Sequence, residues 1–218
     1  MTTAIPPLLH PYRCMAPSPP EVVHLDGGEL RRALLLPHKV IDIVLVQRDR
    51  LSKTIADARH LGVLTAMMLL TTIALALPFG AALGLDRVWR VAALLLGSVL
   101  ICFPSLHVFS SYLGCRMSLA QNLVLALTAS AVAAIFLLGF APIAWFISAT
   151  TPADSTTAAG VALALLVTAI AAGIVHLNRC VMGDAGLRPP GRYQLLMILW
   201  QGLFAYVSYR MGEFLGLP

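Results

Sequence analysis

The sequence predicts an all-α, polytopic membrane helix bundle of five transmembrane helices, preceded by an N-terminal interfacial amphipathic helix. Two observations carry this expectation. From Leu61 onward the chain holds five long stretches free of Lys, Arg, Asp and Glu, at 61–85, 91–115, 117–153, 155–178 and 193–209. An apolar helix of ~20 residues crosses the ~30 Å hydrocarbon core of a bilayer. A helix on the surface of a soluble domain keeps a charged face toward water, and these stretches have none. Composition agrees. Of 218 residues, 59% are hydrophobic and 11% charged, where globular chains carry about 25% charged residues. Mean hydropathy is +0.84.

Residues 1–30 hold Pro6, Pro7, Pro11, Pro17, Pro19 and Pro20, followed by Gly27 and Gly28. Proline lacks an N–H and fixes φ, so this composition resists helix and strand. An extended cytosolic tail is expected, which a partner or the membrane domain would have to hold in order. No apolar run of signal-peptide length with a small-residue cleavage site occurs before Leu61, and no cleaved leader is expected.

Residues 31–59 read as the interfacial helix. Val40, Val44, Leu51, Ile55 and Ala58 fall on one face, with Lys39, Arg50, Lys53, Asp57 and Arg59 largely elsewhere. Such a helix beside a span lies in the headgroup plane. Residues 60–218 form the transmembrane domain, with spans at 61–84, 88–113, 120–147, 158–178 and 193–215. Trp89, Trp145, Tyr193 and Tyr209 sit at span ends, where interfacial aromatics collect. Pro104 and Pro142 kink the second and third spans by removing a backbone hydrogen bond. Gly80/Gly84, Ala169/Gly173 and Gly212/Gly216 are spaced four apart and permit close helix contact.

Orientation follows from the basic residues. Eight precede the first span, Arg116 lies in the loop after the second, and Arg179, Arg188 and Arg192 follow the fourth. The opposite side collects Arg87, Arg90 and Arg210. The positive-inside bias puts the N-terminus in the cytosol and Pro218 outside. It also explains the net charge of +5 without nucleic acid as a partner. Cys14, Cys102, Cys115 and Cys180 have no metal-type spacing and read as free thiols.

Polar side chains inside a membrane are costly and mark candidate sites. The orientation brings His60, His107 and His176 to one depth near the cytoplasmic face, with Ser105, Ser110, Arg116 and Arg179 nearby. One reading is a bis-histidine haem b between His107 and His176, with Arg116 or Arg179 on the propionates. The other is structural hydrogen bonding, with no cofactor. A hydrolase is disfavoured because no buried carboxylate is present to orient a base. Ser105 and His107, two apart on a helix, do not face each other; Ser110 is at the better spacing of three. A small-molecule transporter remains an alternative, pointed to by Pro104 and Gln201.

The stretch Gly114-Cys115-Arg116-Met117-Ser118-Leu119-Ala120-Gln121 resembles the loop between the second and third spans of bacterial Yip-family proteins. The layout of cytosolic N-terminus, five helices and short far-side C-terminus is similar to that family over roughly 60–215. The resemblance implies a non-enzymatic membrane adaptor with no catalytic residues. The acidic N-terminal motif of eukaryotic members has no counterpart here. The same loop also has a local physical reading, with Gly114 as a C-cap and Ser118 and Gln121 as a capping box opening the third span.

The expected function is therefore that of a non-catalytic bacterial inner-membrane protein. It would serve as a scaffold or accessory subunit bound to membrane lipids and to another membrane protein or a second copy.

Overall fold

The structure, a computed structural model, describes residues 25, 27–112, 117–152, 156–182 and 191–217. Its described residues form helices joined by short turns, with no strand among them.

The N-terminal region departs from the expected single amphipathic helix. Helix α1 (Gly27–Leu35) begins inside the segment expected to be extended tail. Leu36 is extended, at φ −130° and ψ 96°, because the ring of a following proline excludes the α region. Pro37 then opens α2 (Pro37–Ile41), a position where its missing N–H costs nothing. The chain continues as a π turn, Asp42–Val46, and Gln47 breaks it at φ −93° and ψ 29°. Helix α3 (Arg48–Ala56) follows. Val40, Val44, Leu51 and Ile55 are buried, as their shared face predicts. Ala58 is not on that face: it lies past α3, exposed, with φ 55°.

The buried side of these three pieces joins one core with Leu64, Met67 and Met68 of α4 and with Val124 and Leu125 of α6. The apolar face thus covers one end of the helix bundle. Polar contacts hold the N-terminal pieces to one another: Leu25 N–H donates to Thr54 Oγ1 (3.4 Å), and Arg50 lies 3.7 Å from Glu29.

The long helices are α4 (Leu61–Leu83), α5 (Val88–Tyr112), α6 (Leu119–Thr150), α7 (Thr156–Met182) and α8 (Gly191–Phe214). Four of them, α4 to α7, are long and apolar enough to cross a membrane. Helix α8 is not among these four, and it carries Gln201, Arg210 and Glu213. Helix α6 is the centre. It packs most extensively on α4, then on α7, while α5 lies against α4 and α8.

Small residues set the separations. Gly173 of α7 sits directly against the Ala129 carbonyl of α6, with no room for a Cβ. Buried Ala169 stands one turn away, so the expected Ala169/Gly173 pair is a real contact. A Cβ on Gly80 would lie 2.6 Å from the Val88 carbonyl oxygen, where α4 meets the start of α5. At the turn between them Gly84 has φ 142°, a backbone closed to L side chains. Ser148 Oγ donates to the Ala82 carbonyl (2.7 Å), satisfying one of the orphan acceptors at the end of α4.

Candidate functional site

The polar side chains gather where the N-terminal helices cover the bundle. Two adjacent amides at the start of α6 organise this layer. Ser118 and Gln121 form the expected capping box: Gln121 N–H donates to Ser118 Oγ (3.2 Å), and Ser118 N–H donates to Gln121 Oε1 (2.7 Å). The same Gln121 then uses Nε2 to donate to the carbonyls of Ile55 (2.8 Å) and Ala56 (2.9 Å). Those carbonyls belong to the last turn of α3, where the Ile55 carbonyl also accepts from Ala58 N–H (3.1 Å). One buried side chain therefore starts α6 and ends α3. The Ser and Gln of the 114–121 stretch are accounted for in this way, while Gly114, Cys115 and Arg116 lie outside the described residues.

Asn122 is 1% exposed. Its Nδ2 donates to Ser110 Oγ (2.9 Å) and stands 3.1 Å from His107 Nδ1. An amide N–H only donates, so Nδ1 accepts and the neutral ring keeps its proton on Nε2. Ser110 Oγ in turn donates to the His107 carbonyl (3.0 Å). The serine hydroxyl is thus spent on backbone and amide, and the ring on an amide. No nucleophile–base pair results. Ser105 Oγ likewise donates to the Cys102 carbonyl (2.6 Å).

The three histidines have three different surroundings. His60 precedes α4 with φ 52°, exposed, its ring against Gly27. His107 is bound to α6. His176 is on α7, which packs on α6 and not to any extent on α5. Its Nε2 is buried and has no hydrogen-bond partner among the described residues. Arg179, exposed in the last turn of α7, and Arg48 of α3 are close enough for their charges to act on that ring. The bis-histidine expectation would need His107 and His176 to meet across α6. Among the described residues there is no group of three His, Cys, Asp or Glu arranged for a metal ion.

Two polar contacts were not foreseen. Asn178 and Gln201 pair their amides reciprocally, Asn178 Nδ2 donating to Gln201 Oε1 at 3.3 Å. This is the tie between α7 and α8. Trp200, fully buried, donates from Nε1 to the Cys102 carbonyl (3.1 Å) and stacks on Phe204, binding α8 to α5. The available signal was an amide or indole interrupting an apolar run, where a polar group must find a partner.

The arrangement defines a helical bundle with the apolarity of a multi-pass membrane protein, whose polar groups are largely bonded to one another. Comparison with known protein families, curated proteins and solved structures found no match.

Proposed function

We propose that the chain is a non-catalytic integral membrane protein that serves as a scaffold or accessory subunit of a larger membrane complex. In this reading it crosses a bacterial inner membrane five times, with its N-terminal helices in the cytosol and Pro218 outside. The fifth crossing would be α8. Its antiparallel packing along α5 supports this: Trp200 meets Cys102, Met211 meets Gly97, and Leu215 meets Arg90. The two helices thus cover the same depth. At 1.5 Å per residue, the 24 residues of α8 are sufficient for the bilayer core. The basic residues of Arg48, Arg50, Lys53 and Arg59, all beside the first span, support the orientation.

The observation that carries the accessory role is the outer face of α7. Only 22% of its most apolar stretch is buried, against 67% for α6. Gly160, Ala164, Thr168 and Val175 follow one another at helical spacing and are all exposed. Nothing lies within 4 Å of a Cβ built on Gly160. Apart from the C-terminal Val175, the face is small enough for another helix backbone to approach closely, the usual basis of helix association in lipid. The bonding of Ser110 and His107 to Asn122 supports the non-catalytic part of the reading.

The test is gentle detergent extraction followed by mass measurement. A defined complex should be recovered, and Gly160→Leu with Ala164→Leu should lower the bound fraction by about tenfold, or about 1.4 kcal/mol. A bare monomer in the mildest detergent would refute the proposal.

A further inference from the structure

Helices α7 and α8 are tied near one end by Asn178 and Gln201. Between them runs a cleft of about 360 Å³, within the ~300–1,000 Å³ range of small-molecule sites. Its walls are apolar: Leu166, Ile170 and Ile174 on α7, Ala205 and Gly212 on α8. It opens on the side where Val167 and Tyr209 are exposed. One polar atom on the wall is unsatisfied, the buried hydroxyl of Ser208. Glu213 stands at the far end, bound to Arg210.

A second recess, about 440 Å³, adjoins the first across Leu217, which lines both. It is more polar, with Ser148, Thr151 and Arg87 on its wall. Arg87 is its cation. The neighbouring Arg90 is committed: it donates to the Leu215 carbonyl (2.8 Å) and sits 3.5 Å from Asp86. Asp86 is therefore shared, and Arg87 reaches it only at 3.8 Å. The described charges at this end are Arg87, Arg90 and Arg210 with Asp86 and Glu213, and of these Arg87 alone lines the recess.

A dry cleft and a wetter pocket with a cation, on either side of Leu217, together have the polarity of an amphiphile. We propose that the two recesses together hold one glycerophospholipid, an acyl chain between α7 and α8 and its phosphate on Arg87. A second helix fits less well, because a peptide backbone brings no anion to Arg87. The site requires α4 to α8 to sit in a bilayer, and does not depend on the accessory role, whose face on α7 borders the cleft but does not line it at Gly160, Ala164 or Thr168.

The experiment is native mass spectrometry of the purified full chain after detergent delipidation, with 1-palmitoyl-2-oleoyl phosphatidylglycerol and the matching diacylglycerol as added probes. One phospholipid should remain bound or rebind, at least tenfold more tightly than the diacylglycerol. Ala205→Trp, filling the cleft, should abolish retention, and Ala171→Trp fills it from the opposite wall should the first variant misfold. Arg87→Gln should remove the preference for the phosphate lipid. Gly160→Leu, off the cleft, should retain it. Equal binding of both lipids by the unaltered chain, retention unchanged by both tryptophan variants, or a dimer in place of a lipid adduct would each overturn the proposal.

Discussion

Gln121 does the work of two caps. Its Oε1 accepts from Ser118 N–H while its Nε2 reaches two carbonyls of α3. Gln121→Leu keeps the bulk and removes every one of these bonds. A net hydrogen bond contributes about 1 kcal/mol, and a buried acceptor left empty costs about 1–3 kcal/mol. The variant should lose about 2–4 kcal/mol in denaturant unfolding and expose the 57–60 turn to protease. Ser118→Ala, which removes the helix cap alone, should cost about 1 kcal/mol. Equal losses in the two variants would show that the reach to α3 is energetically idle. Before the structure, the pair was legible as a capping box, since that device is local in sequence. Its second use was not, because nothing local links residue 121 to residue 55.

At the scale of elements, contact between α6 and α7 depends on a missing side chain. Gly173 lies against the Ala129 carbonyl. Gly173→Leu must push the helices apart, and overpacking of this kind costs about 1–3 kcal/mol. Thermal unfolding in detergent should show the drop, while Gly160→Leu, facing open space, should leave the monomer's stability within about 0.5 kcal/mol. A Gly173→Leu protein as stable as its parent would contradict the packing. The spacing of Ala169 and Gly173 pointed to a helix contact, but it does not say which helix answers. The N-terminal region shows the opposite limit. Its apolar residues were legible by period, and four of the five are buried. The bends at Leu36 and Gln47, and the turn of the apolar face onto the bundle, arise from Pro37 and from the core offered by α4 and α6. A one-dimensional period assumes a straight axis and an unspecified partner.

For the whole molecule, the proposed topology places the turn after α3 and the turn after α4 on opposite sides of the bilayer. In a chain with Cys14, Cys102, Cys115 and Cys180 replaced by Ala, Asp57→Cys should react with an impermeant maleimide only from the cytosolic side. Leu85→Cys and Phe214→Cys, both strongly exposed positions, should react only from outside. Labelling of Phe214→Cys from the cytosol would remove α8 as a crossing.

The positions of α4 to α8 were readable in advance to within a few residues, because long runs without charge are a property of sequence alone. The candidate site was readable only as a list of polar residues at one depth. Which of them meet was settled by packing: α6 packs on both α5 and α7, His107 finds Asn122, and His176 Nε2 has no partner among the described residues. The cleft beside α8 was invisible for the same reason. A void is a relation between helices far apart in the chain, fixed by where Asn178 and Gln201 tie them together.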